Sequence, residues 1–135
     1  MRPFAKVALL IFFFPFSAWG QATIFVSRHA DRFGTEPDPS LTPHGEVQAE
    51  SLGRMLAGAN VRHIYTTELL RTQQTAAPTA QRSCITPVVV PQNRLDDPIE
   101  HIRNTVQPHE STLVVGHRET LPRIVKALTG QEIPR

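Results

Sequence analysis

Apolar positions change their period repeatedly along this chain, and each change marks an element. Thr23-Ile24-Phe25-Val26-Ser27 is an apolar, β-branched run, the pattern of a buried strand, read as Ala22–Arg28. Asp31–Ser40 is rich in Pro, Gly and acidic residues and reads as a loop. Thr42-Pro43 supplies an N-cap followed by proline at the first helical position. Leu52, Met55, Leu56 and Ala59 recur at helical spacing, so a helix is expected to about Ala57, closed by Gly58 and Asn60. Val61–Tyr65 predicts a second strand. Thr66-Thr67 is expected to cap a second helix over Glu68–Gln81, with Pro78 ending or kinking it. A third strand is expected over Thr86–Val90, a loop over Pro91–Pro98, and a modest helix carrying Ile99, Ile102, Arg103 and Val106. Thr112–Val115 predicts a fourth strand and Glu119–Leu128 a last helix, stopped by Thr129-Gly130 with Pro134 beyond. Strands alternating with helices imply βαβ units. The expected fold is a single α/β domain of three layers, a mainly parallel sheet with helices on both faces.

The first twenty residues carry a different pattern. Arg2 and Lys6 form a basic start, Val7–Phe14 is unbroken apolar sequence, and Ser17-Ala18-Trp19-Gly20 supplies the small residues a signal peptidase reads. This is the layout of a secretory signal peptide, too short in its apolar part to span a bilayer. Residues 1–20 are read as the signal and 21–135 as the domain, with cleavage after Gly20 and Ala22 as the alternative. Export, to a periplasm, without stable membrane association after cleavage, is the expectation. Of 14 basic residues, Arg2 and Lys6 leave with the signal, so 12 basic residues balance 12 acidic ones. The net charge of +2 of the whole chain therefore points to no nucleic acid, and no Lys/Arg run forms a phosphate-tracking stripe. Cys84 is the single cysteine, which excludes an internal disulfide framework; it is read as a semi-buried structural thiol.

The candidate chemistry lies at the strand exits. In a parallel sheet all exits share one edge, where open α/β folds place ligands. The first exits into Arg28-His29-Ala30, the second into Thr66-Thr67-Glu68-Leu69-Leu70-Arg71-Thr72, the fourth into Gly116-His117. Two histidines and two arginines thus converge on one rim. A histidine can act as a nucleophile, and a guanidinium can hold a phosphate in a bidentate fork. His44 could touch this pocket but reads as exposed, His63 as structural, His101 and His109 as solvent-facing. Ser111 lacks the sequence context of a serine nucleophile.

Arg28-His29-Ala30, Leu41-Thr42 with Gly45 and Gln48-Ala49, Tyr65-Thr66-Thr67-Glu68-Leu69-Leu70-Arg71-Thr72-Gln73-Gln74-Thr75-Ala76 and Val114-Val115-Gly116-His117 together resemble the histidine phosphatase superfamily, also called phosphoglycerate-mutase-like. The resemblance runs from residue 22 to about 130. Arg-His-Ala before an acidic residue is similar to its small exported members. The resemblance implies that His29 attacks phosphorus and carries the phosphoryl group, and that Arg28, Arg71 and His117 contact the phosphate oxygens. It implies no cofactor and no metal; accordingly no two histidines sit at helical metal-site spacing. For the general acid, Asp97, beside Asp96, is the first choice and Glu119 the second, placed next to the phosphate; Asp31 and Glu68 are further carboxylates near the rim. Relatives continue with another edge strand, which the short segment after Gly130 is expected to lack. The implied activity is a phosphatase acting on a small phosphorylated substrate or a phosphoprotein. The rivals are a mutase and a non-catalytic phosphate-binding module of the same fold.

Overall fold

The computed structural model describes residues 21–133; the expected signal segment and Pro134 lie outside them. The elements follow in the order β1 (Thr23–Arg28), α1 (Pro43–Met55), β2 (Val61–Thr67), α2 (Leu70–Ser83), β3 (Val88–Val90), α3 (Pro98–Thr105), β4 (Ser111–Gly116) and α4 (Leu121–Thr129), with a 3-10 turn at Gln92–Arg94 before α3. The four strands of the described residues form one parallel sheet in the order β1-β4-β2-β3. The expected three-layer α/β domain is what the chain builds.

β4 lies between β1 and β2, and all of its residues are buried, as the apolar run Leu113-Val114-Val115 demands of a central parallel strand. Alternation then assigns the faces. Leu113 and Val115 join Leu56, Val61, Ile64, Ala76 and Ala80 under α1 and α2. Val114 joins Tyr65, Leu95, Ile99, Ile102 and Ile124 under α3 and α4. Fully hiding side chains such as Leu113 and Ile124 contributes roughly 1.5–3 kcal/mol each, which locks the strand exits into one rigid edge.

Several local readings are corrected. Thr66 and Thr67 do not cap α2; they complete β2, where β-branched residues pack well. The first turn of α2 is capped from a distance instead, by Asp38, whose Oδ1 accepts from the Leu70 amide at 2.7 Å. Pro78 neither ends nor interrupts α2. It costs one helical hydrogen bond but packs on α1, where a Cβ on Gly53 would stand 3.0 Å from Pro78 Cβ. Cys84 is exposed rather than semi-buried, because it closes α2 in the left-handed conformation at φ 54. β3 is shorter than expected, and as an edge strand it leaves Val88 and Val89 about half exposed. α4 begins at Leu121 rather than Glu119, since His117–Thr120 forms its own turn: the Thr120 hydroxyl accepts from the His117 amide at 2.8 Å. At α1 the N-cap reading holds, with the Thr42 hydroxyl accepting from the Gly45 amide at 3.0 Å.

Candidate active site

The parallel register of β1 and β4 sets Arg28 opposite Gly116, and the His29 amide donates to the Gly116 carbonyl at 3.0 Å. His29 and His117 are thereby delivered to the same edge. Their ring centroids are 5.4 Å apart with the planes inclined by 59°, close enough for one phosphate group to face both. His29 Nδ1 lies 2.8 Å from the Ala30 carbonyl oxygen. A carbonyl only accepts, so Nδ1 holds the proton and donates, and Nε2 is left with a free lone pair. That is the tautomer a nucleophilic imidazole requires.

His117 is oriented by two threonines. Its Nε2 and the Thr67 hydroxyl are 2.9 Å apart, and Thr67 and Thr72 hydroxyls also 2.9 Å. The Thr72 hydroxyl donates to the Leu69 carbonyl at 2.8 Å. One proton assignment satisfies every contact: Thr72 donates to Leu69, Thr67 donates to Thr72, and His117 Nε2–H donates to Thr67. His117 Nδ1 is then an acceptor, buried and without a partner. Arg71 Nε is also buried without a partner, as are the hydroxyls of Thr66, Thr79 and Thr112; of these groups Arg71 carries a charge, and it reaches both histidines. Unsatisfied buried polar atoms are uncommon and costly, about 1–3 kcal/mol each. A tetrahedral oxyanion between Arg71 Nε and His117 Nδ1 meets both needs. It accepts from Arg71, and either its own hydroxyl donates to His117 Nδ1 or the ring takes up a proton there and donates.

Beside His29 a cavity of about 400 Å³ is lined by Arg28, Ala30, Asp31, Arg32 and Thr42. Burial pushes the His29 pKa below its ordinary 6.5, opposed by the bond to Ala30 and reinforced by the charges of Arg71, Arg28 and Arg32. Burial, then Arg71 and His29, lower that of His117 to about 4. Both rings are therefore neutral at neutral pH, and acid removes the free lone pair of His29 by protonating the ring. In an NMR titration of the ring protons, the midpoint of His29 is expected below 6.5 and that of His117 near 4. Arg71→Ala should move both upward, because removing a nearby cation favours the protonated ring. A His29 midpoint at or above 6.5 would contradict this reading of the site.

The carboxylates divide differently from expectation. Asp97 is not brought to the histidines: its carboxylate is ion-paired with Arg94 at 2.6 Å, three residues away, on the exposed lead-in to α3. Asp96 is held by Arg123 at 2.8 Å. The carboxylates whose charge reaches His117 are Glu119 and Glu68, which line a neighbouring cavity of about 430 Å³. Asp31 borders the His29 cavity and pairs with exposed His44 at 2.8 Å. His63 is half-buried 3.8 Å from Glu110, and His101 and His109 are exposed. Among the described residues no group of His, Cys, Asp and Glu is arranged as metal ligands.

Thr75, Gln48, Gln74 and Gly45 enter the sequence reading only as parts of the resemblance, without a role; in the structure they frame the loop after His29. Thr75 accepts from the Ala30 amide at 2.9 Å and donates to the Arg71 carbonyl at 2.6 Å, joining the loop after His29 to the first turn of α2. Gln48 accepts from the Asp31 amide and Gln74 from the Leu41 amide, both at 2.8 Å. Gly45 allows the approach, since a Cβ there would stand 2.0 Å from the Asp31 oxygen. Arg32 adds a third guanidinium near His29.

Residues 20–92, more than half of the chain, match the sequence profile of the histidine phosphatase superfamily (branch 1). The chain belongs to this superfamily. The superfamily includes phosphatases and mutases, and its fold recurs in solved structures similar to this one. The protein histidine phosphatase SixA complexed with tungstate superposes with a TM-score of 0.66 at 20% identity, over 83% of this chain and 80% of that one. A mycobacterial glucosyl-3-phosphoglycerate phosphatase gives 0.67 at 13%, over 78% of each chain. Phosphoserine phosphatase of Entamoeba histolytica, in complex with 3-phosphoglyceric acid, gives 0.59 at 15%, over 83% of this chain and 82% of that one. At such identities the likeness is one of histidine phosphatase fold. A search of curated proteins finds no match.

Proposed function

We propose that this protein is a phosphatase that hydrolyses a phosphomonoester, or the phosphohistidine of a phosphoprotein, through a covalent phosphohistidine at His29. The observation that carries the reading is the pair of buried atoms without partners, Arg71 Nε and His117 Nδ1, the His117 ring lying 5.4 Å from that of a histidine whose Nε2 lone pair is free. In the first step His29 Nε2 attacks phosphorus and the ester oxygen, or the imidazole nitrogen of a phosphohistidine substrate, departs, taking a proton. In the second, water attacks the phosphohistidine, releasing inorganic phosphate and restoring His29. Arg71, Arg28 and His117 hold the non-bridging oxygens; such transfer is mostly positioning and charge neutralisation, which a rigid cationic cradle supplies. No step calls on a metal. Glu119 replaces Asp97 as the proposed proton donor, because its charge reaches His117 and the Asp97 carboxylate is engaged by Arg94. The basic, apolar and small-residue order of residues 1–20 supports export as part of the same proposal.

Acid quench during turnover of a radiolabelled aryl phosphate tests this. The expected product is a phosphoprotein labile in acid and stable in base, with the label on His29 and turnover undiminished by a chelator. Label that survives acid and is lost in base would assign the nucleophile to Ser or Thr. Tight phosphate binding with no turnover of any phosphomonoester would leave a phosphate-binding module.

A further inference from the structure

We infer that Gln92 is a positioning residue, tying Glu68 and Glu119 into one acidic wall beside His117. Gln92 opens the 3-10 turn that follows β3. Its backbone N–H donates to Glu68 Oε2 at 2.8 Å, and its side-chain Nε2 donates to Glu119 Oε1 at 3.0 Å. Glu68 follows β2 and Glu119 follows β4, so this one residue bridges the exits of three neighbouring strands, β4, β2 and β3. Both glutamates are exposed, and an exposed glutamate without a partner samples many rotamers. Two like charges on one rim would also turn away from each other. The tie engages one oxygen of each carboxylate, Glu68 Oε2 and Glu119 Oε1, and both glutamates line, with Gln92, a cavity of about 430 Å³. A leaving group there meets a carboxyl whose place is set before it arrives, which is what proton transfer to a departing oxygen needs. Among the described residues Gln92 makes no hydrogen bond to either histidine or to Arg28 or Arg71, and its bonds run to the glutamates, so it acts through them.

The role rests on the phosphatase reading, with Glu119 as donor, and deepens it. The two bonds can be separated, because the backbone bond to Glu68 survives a side-chain change and the amide bond to Glu119 does not. Gln92→Leu therefore frees Glu119 alone. Turnover of glycerol phosphate, a poor leaving group, is compared with that of nitrophenyl phosphate, a good one, in wild type, Gln92→Leu, Glu119→Gln and the double variant. Glu119→Gln is expected to lower glycerol phosphate turnover on the order of 10²-fold, and Gln92→Leu about tenfold, the effect of one lost hydrogen bond to a charged group. Nitrophenyl phosphate turnover and affinity for inorganic phosphate should change by no more than about twofold in Gln92→Leu, since the cradle is untouched. The double variant should be no slower than Glu119→Gln alone, the non-additivity of residues acting as a unit. Equal losses on both substrates, losses that multiply in the double variant, or wild-type behaviour of Gln92→Leu beside a defective Glu119→Gln would overturn the role and leave the phosphatase standing. Wild-type protein that turns over neither substrate would overturn the phosphatase reading, and the role of Gln92 with it.

Discussion

Replacing His29 with Ala is expected to stop turnover of every phosphomonoester while leaving inorganic phosphate binding nearly intact. The two effects separate because the groups separate. Arg71 Nε and His117 Nδ1, the orphaned atoms that an oxyanion satisfies, remain in the variant, as does the Thr67–Thr72 network that orients His117. Only the lone pair on His29 Nε2 is lost, and no other imidazole replaces it: His117 turns its Nε2 into Thr67, and His44 is occupied with Asp31. Loss of a covalent nucleophile costs on the order of 10⁴-fold or more in kcat, with the cradle alone left to act on water. The fold should tolerate the change, because His29 is only half-buried. Calorimetry of phosphate binding beside the kinetics checks both halves. Turnover within about tenfold of wild type, far less than the loss of a nucleophile, would remove His29 from the chemistry. Lost binding would show that His29 is part of the cradle instead.

The rim that makes this prediction possible was legible because a parallel sheet converts a sequence pattern into geometry. Arg28-His29, Arg71 and Gly116-His117 are scattered through the chain, yet each follows an apolar run, and every run in a parallel sheet exits on the same edge. The strand order was not assigned from the sequence; the central place of β4 agrees with Leu113-Val114-Val115, apolar on both faces. What could not be read are single long-range bonds between side chains and amides. Asp38 capping α2 at Leu70, Thr75 reaching Ala30 and Gln74 reaching Leu41 leave no period in the sequence, because each depends on two loops meeting in space. Asp97 is the opposite case. Its position after β3 pointed toward the rim, and in the structure its exposed carboxylate pairs with Arg94, three residues before it. The caps divided in the same way: Thr42 acts on its own helix, three residues on, and was visible, whereas the cap of α2 comes from another loop and was not.

Arg71→Lys keeps the charge of the cradle and removes its shape, and is expected to lower kcat on the order of 10²-fold or more, the cost of losing one preorganised donor at the developing charge. A guanidinium presents its N–H groups in a fixed planar fork, whereas an ammonium is a compact point charge on a flexible stem. The donor at stake is identified here: Arg71 Nε, buried and without a protein partner, for which lysine has no counterpart. Charge and shape can be told apart through the two histidines. The Arg71 cation contributes to the lowered pKa of both His29 and His117. Arg71→Lys should therefore leave both NMR midpoints close to their wild-type positions, while Arg71→Ala moves them up. Joined to a large loss of kcat in both variants, that result would assign the catalytic contribution of Arg71 to directed hydrogen bonding rather than to its field. Lysine activity close to wild type would mean that the field suffices. A lysine variant that loses activity and also shifts the histidines like the alanine variant would mean that the ammonium has left the site, and that the burial of Arg71 depends on the fork itself.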